Sequence, residues 1–518
     1  MINGLVIVIP LIILSGAGIL WIIRPPRAGA TWKASLVETA ALSFGVGAGS
    51  IPLILFYLNL LGLTIDLKLL LGILIPLSFI GMLSFLLTPD KGFKPLVRMK
   101  SVLKASYPPE TQGALTTPVG RTGYSRGDLI MIILLFVIVI LTSIKALSTP
   151  MHYFDDRATW SYKAKVIFNE GSVKGESFFD PTRLNIARKY PLALPILEAC
   201  VHLAMGRFDD RLVKIIFPIF LCATILILFQ SQLSFSQRSH ALFFTLLYAA
   251  LPFLSLSMIE EGGSADTGYA DIPLSFFYAV SVFYLYHWMK KGEGLLISSL
   301  FMAFALFEKQ EGIILFAGWA AALIAILFIA SDKGFKPPVY MRKERGTRAC
   351  PARDAPRWRA VLPLLLPPVI LNIPFLIYAW NIPTVAVDYP GNLTLKVMLE
   401  NIGRLPPILL NIAGAFFSFR WGFLGAPFLA AILMYPKKVL SVEYLFLLWM
   451  IFFPLFCYII LLVVTPADAS WQLRVALDRL LTHFAPIIIF FISRIYGDII
   501  EKRKLKVNFL ECAGSTAP

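Results

Sequence analysis

Residues 149–198 read TPMHYFDDRATWSYKAKVIFNEGSVKGESFFDPTRLNIARKYPLALPILE. In a chain dominated by apolar runs this passage is long and polar. It gathers a carboxylate pair (Asp155, Asp156), an aromatic pair (Trp160, Tyr162), two lysines (Lys163, Lys165) and a Tyr190–Pro191 step. A few turn residues suffice to join two membrane helices. A connection of this length and chemistry predicts an active-site loop, with the helices around it as its scaffold.

Working outward, 58% of the 518 residues are hydrophobic and 15% are charged, against about 45–50% and about 25% in soluble domains. Apolar runs close to 20 residues fit helical spans, whereas barrel strands would be shorter and alternating. The expected fold is therefore an all-α polytopic membrane protein. The formal net charge of +16 lies mostly at the edges of apolar runs, which is the pattern of topology signals and headgroup contacts rather than of nucleic-acid binding. Cys200, Cys222, Cys350, Cys457 and Cys512 are scattered, with no zinc or redox spacing. The run from Ile2 to Ile23 has no basic n-region and no small-residue cleavage site, so it is expected to be a retained span.

Apolar runs near 2–23, 36–62, 66–88, 128–148, 209–230, 240–258, 272–289, 293–307, 312–331, 361–380, 405–435, 441–464 and 482–499 predict about 12–13 transmembrane helices. The basic segments 89–127 and 331–360 orient them, both belonging to the cytoplasm by the positive-inside rule. Segments 149–208, 259–271, 308–311, 381–404 and 465–481 then meet on the outer face, with the N-terminus outside and the C-terminus inside. The outer loop breaks the charge rule with Arg157, Lys163, Lys165, Lys174, Arg183, Arg188, Lys189 and Arg207; either the topology is inverted or the loop binds an anion, and the two larger basic loops favour anion binding. Within it, 157–169 has the spacing of an amphipathic helix on the bilayer surface, and 190–205 is a short apolar segment expected to be re-entrant. PDKGFKPLVRMK (89–100) is echoed by SDKGFKPPVYMRK (331–343), read as a shared helix stop and lipid anchor. The domains expected are 1–127, N-terminal helices and a basic loop; 128–505, a catalytic membrane domain; and 506–518, a disordered cytoplasmic tail.

Chemistry is expected where charge meets the outer membrane edge, because such charge is costly unless paired or useful. Asp155 or Asp156 can serve as a general base toward an acceptor hydroxyl. Lys163 and Lys165, two positions apart, do not share a helical face. Asp271 closes the loop EEGGSADTGYAD (260–271) at a helix mouth, where capping is the plainer role. Lys309 and Glu311 lie in a turn too tight to be a domain, where an ion pair is the plainer reading and phosphate contact the functional one. Arg474 and Arg479 are phosphate candidates because guanidinium grips phosphate bidentately. His483 follows Arg479 by one turn. No P-loop, dinucleotide glycine fingerprint, HExxH or GxSxG occurs.

Taken in order, these motifs resemble the GT-C superfamily of membrane glycosyltransferases, in particular the protein O-mannosyltransferase and aminoarabinose-transferase branch. FDDRATWSYKAK (154–165) looks like the first-loop acidic motif, YPLALP (190–195) the segment opening the next helix, GYAD (268–271) the second acidic motif, KQEG (309–312) a Lys-Asn-Glu-Gly turn with Gln310 for Asn, and DRLLTH (478–483) a late Asp-Arg-Leu-Leu motif. The resemblance covers roughly 128–500; the first three spans and the outside N-terminus depart from it. It implies an inverting transfer of a sugar from a polyprenyl-phosphate carrier to a protein, lipid or glycan acceptor outside the cell membrane. It implies Asp155 as general base with Asp156 beside it. Lys163, Lys165, Lys309, Arg474 and Arg479 would lie on the donor phosphate, and Trp160, Tyr190, Asp271, Glu311 and His483 around the substrate. No cofactor is required and a divalent cation is optional. The alternatives are a transporter or flippase of lipid-linked sugars, and a polysaccharide ligase or polymerase.

Overall fold

The computed structural model of the chain describes residues 2–23, 35–87, 124–180, 189–255, 262–332, 358–383 and 392–514. Most of the two basic loops and their repeated motif, with Arg183 and Arg188, lie outside the described residues. All regular structure among the described residues is helical.

Three long helices, α1 (Ile2–Ile23), α2 (Leu36–Leu60) and α3 (Leu67–Leu87), pack together. α4 (Arg126–Ser148) follows, opened by a capping box in which Ser125 and Asp128 bond each other's backbone. The polar passage then forms a π-helical turn, Asp156–Ser161, running straight into α5 (Tyr162–Glu170). Gly171 ends α5 in the left-handed conformation, a residue type suited to that cap. α6 (Ala193–Met205) is buried along most of its length. Its 13 residues reach only about 20 Å, too short to cross a bilayer core of about 30 Å.

The main bundle continues with α7 (Ile216–Leu233), α8 (Arg238–Ala249), α9 (Asp271–Lys291), α10 (Leu295–Glu308) and α11 (Gly312–Asp332). Then come α12 (Trp358–Ile370), α13 (Ile373–Trp380), α14 (Leu405–Phe416), α15 (Gly425–Met434), α16 (Val442–Val464), α17 (Ala469–Thr482) and α18 (Ala485–Gly514). A single cluster of buried apolar side chains extends from Val8 to Ile495.

Among the described residues six helices are long and apolar enough to cross a membrane, or seven if α17 and the described apolar part of α18, bent by 49°, form one span. This is fewer than the 12–13 read from the runs, and the cause is local. The run at 361–380 breaks between α12 and α13, and the run at 405–435 breaks at the short turn Phe419–Trp421. α9 fails on composition, not length: it is buried on nearly all sides and carries Ser275, Ser281, Tyr278, Tyr284 and Tyr286 where a lipid-facing helix would carry leucine. α18 continues through Gly514.

α9 fixes the two charged ends of the bundle. Its 21 residues span about 32 Å. Asp271 heads it, while Lys290 at its foot pairs with Glu443. At that foot Asp498 also takes Lys438 at 2.7 Å, Arg494 at 2.8 Å and the Tyr444 hydroxyl at 2.6 Å.

Candidate active site

Four segments deliver charged side chains to the head of α9. The polar passage brings Asp155, the first residue of α9 is Asp271, the turn between α10 and α11 brings Lys309 and Glu311, and α17 with its bend brings Arg479 and His483. Lys309 is extended, at φ −154° and ψ 154°, between the two helices.

Asp271 is the centre. Its Oδ1 accepts from Lys309 Nζ at 2.8 Å and lies 3.0 Å from His483 Nε2, and its Oδ2 accepts from Arg479 Nε at 3.1 Å. Its side chain is 0% exposed, so it is neutralised entirely by the chain's own cations and by its place in the first turn of α9. Arg479 reaches onward through Nη1 to Asp155 Oδ2 at 2.7 Å, joining residues 324 positions apart. Its guanidinium lies 4.4 Å from the centre of the Tyr269 ring, a cation–π contact. Lys309 also bonds Glu311 at 2.9 Å. His483 Nδ1 lies 2.9 Å from the Tyr458 hydroxyl. Both histidine contacts are satisfied when Nε2–H donates to Asp271 and Tyr458 donates to Nδ1. Asp155 is the outermost member, with its side chain 32% exposed, next to the exposed Phe154.

The loop that carries GYAD has to approach this network closely. A Cβ on Gly268 would lie 2.9 Å from Asp156 Cβ and 2.8 Å from Met151 Cε. Gly263, at φ +102°, would place one 2.6 Å from Arg479 Cγ. These glycines give the backbone the room that a side chain would fill.

The remaining expected residues separate into two groups. Buried Trp160 and Lys163 meet half-buried Tyr190: the rings meet edge to face at 5.7 Å, and Lys163 Nζ lies 5.4 Å and 5.7 Å from their centres. Burial pushes the Lys163 ammonium down to about 7, while the Asp155 carboxylate pulls the other way. An arriving anion would favour its charged form. Asp156 is 1% exposed and neither carboxylate oxygen makes a well-formed hydrogen bond. Burial raises it to about 6, with the backbone amides of Tyr153 and Arg157, His152 and Lys214 easing the charge.

Two expected phosphate ligands stay out of the network. Lys165 is exposed and lies over the Phe208 ring at 5.3 Å, because two positions along a helix turn it away from Lys163. Arg474 is exposed on α17, five residues before Arg479 and on another side of the helix. Conversely Tyr269, Tyr458, Lys214 and the buried carboxylates Glu198 and Glu308 join or border the site without having been assigned a role. Among the described residues, both oxygens of Glu198 and Oε1 of Glu308 find no hydrogen-bond partner. Tyr269 stood inside the GYAD motif; Tyr458 and Lys214 are lone polar residues in or beside apolar runs and gave no pattern.

Among the described residues no group of three or more His, Cys, Asp or Glu side chains is arranged to hold a metal ion. Asp155 and Asp271 are turned onto Arg479 and Lys309. A surface hollow lined by Leu60, Lys174, Phe179 and Tyr378 shares no residue with the network. Comparison with family models, curated proteins and solved structures gave no match.

Proposed function

We propose that the chain is an integral membrane glycosyltransferase of GT-C type that moves a sugar, with inversion, from a polyprenyl-phosphate carrier to an acceptor on the extracytoplasmic face. The observation that carries this reading is the Asp155–Arg479 ion pair, in which a partly exposed carboxylate shares a guanidinium with the buried Asp271. In the resting site Arg479 occupies Asp155. The donor phosphate draws Arg479 and Lys309 toward itself, which releases the Asp155 carboxylate toward the acceptor. Asp155 takes the acceptor hydroxyl proton as that oxygen bonds to the anomeric carbon. The bond from the anomeric carbon to the phosphate oxygen breaks, and polyprenyl phosphate leaves as an anion against the two cations. Lys163 is the further cation available to that phosphate, with Trp160 and Tyr190 beside it. Asp271 holds Arg479 and Lys309 in place.

The test is transfer by membranes containing the full chain, supplied with a panel of polyprenyl-phosphate sugars. Asp155→Asn is expected to lower transfer by about 10²–10⁴-fold, the usual worth of a positioned base, with donor binding retained. Near-full transfer by that variant removes the base assignment.

A second reading, a flippase of lipid-linked sugars, draws on Glu198 and Glu308, which are buried ionisable groups of the kind transport pathways use. Donor movement across proteoliposome leaflets without any sugar transfer would favour it.

A further inference from the structure

A second charged cluster lies behind the site. Lys214, 1% exposed just before α7, donates to Thr149 Oγ1 at 3.1 Å and to the carbonyl oxygens of Asp266 and Pro150 at 3.2 Å and 3.5 Å. Asp266, 4% exposed, accepts through Oδ2 from Lys145 at 2.9 Å and through Oδ1 from Ser264. One ammonium therefore joins the end of the α4 connection, six residues before Asp155, to the loop that carries Gly268 and Asp271. The same ammonium attracts the carboxylates of Asp156, Asp266 and Asp210. A buried ammonium without acceptors is strongly unfavourable. Here three oxygens surround it, and all belong to the two segments that carry the site's acids.

We infer that Lys214 is a positioning residue of the transfer site: it clamps the Thr149–Pro150 connection to the 262–270 loop, and so sets the separation of Asp155 and Asp271 that Arg479 bridges. This rests on the glycosyl-transfer reading for its effect on rate, though not for the clamp itself. The ammonium also acts on the Asp156 carboxylate through space, without an ion pair between them. Asp156 is also attracted by His152 and repelled by Glu198, and it acts electrostatically on the Tyr269 hydroxyl.

The experiment uses the full chain in nanodiscs as wild type, Lys214→Met, Lys214→Gln and Lys214→Arg. Infrared difference spectra across pH give the protonation midpoint of Asp156, assigned as the carboxyl band absent from Asp156→Asn. Removing the ammonium is expected to raise that midpoint by about one pH unit, the lower end of what an adjacent opposite charge does, and Lys214→Arg to restore it. Transfer is expected to fall by about 10²-fold, the effect of misplacing a reacting group by about 1 Å, with binding of polyprenyl phosphate unchanged. Lys214→Gln, which keeps a donor but loses the charge, stands in if Lys214→Met does not fold. An unmoved Asp156 midpoint overturns the clamp. Transfer equal to wild type with a moved midpoint overturns the positioning role. Absence of transfer by the wild type with every donor defeats the glycosyl-transfer reading instead, and the midpoint alone then decides the clamp.

Discussion

Asp271 accepts from Lys309, His483 and Arg479 at once, and each would be left facing an uncompensated site if its charge were removed. Breaking one partner of a buried ion pair costs about 3–5 kcal/mol. Asp271→Asn is therefore expected to lower the thermal midpoint of the protein in nanodiscs markedly, whereas Lys396→Ala, which breaks the exposed Lys396–Glu400 pair, should hardly move it. Asp156 makes the opposite prediction. Folded, it keeps its proton up to about pH 6; unfolded, it loses it at the ordinary value of 3.8. The folded chain binds more protons between those values, so this group's contribution to stability falls as pH rises through the window, by roughly 3 kcal/mol above it. Asp156→Asn should then raise the thermal midpoint at pH 8, with the gain shrinking toward pH 4. The residues found from sequence alone were those where charge meets the end of an apolar run: Asp155, Asp271, Lys309 and Arg479. Asp155 and Arg479 could be named, but their direct contact could not, because nothing local couples positions 324 apart.

At the scale of elements, apolar length located almost every helix near its observed bounds, because a membrane helix must satisfy its own backbone. Periodicity failed where tertiary packing sets the conformation. The polar passage reads as one amphipathic helix over 157–169, yet it starts as a π-helical turn over Asp156–Ser161, which has no sequence signature. Trp160, Lys163, Val166 and Ile167, at three-to-four spacing, are all buried. The GYAD loop shows the same dependence on its surroundings. Gly268→Ala is expected to push the loop off Met151 and Asp156 and reduce transfer more than tenfold. Gly414→Ala, within α14 and with open space around it, should leave transfer intact. Parallel transfer assays on the two variants check this; equal rates would show that the close approach is unimportant.

For the whole molecule, the charged head and foot of α9 lie about 32 Å apart, so a bilayer core fits between them. With the cysteines replaced, Phe154→Cys is expected to react with an impermeant thiol reagent added outside intact cells, and Lys437→Cys only after permeabilisation. The reverse pattern would invert the orientation drawn from the basic loops. The six or seven membrane-capable helices and the finer count read from runs differ because burial inside protein relaxes the demand for apolar composition, as α9 shows, while breaks divide other runs.

α4 lies at the opposite extreme from α9. Of its 23 residues only Asp128, Thr142 and Ala146 are buried, and Ile130, Phe136 and Ile144 are more than half exposed. Its rim positions will accept almost any oily replacement, while Thr142, bonded to the Ser255 carbonyl, will not. Neutral drift should accordingly erase the spelling of this helix long before its greasiness, leaving the few inward-facing letters as the durable record of descent.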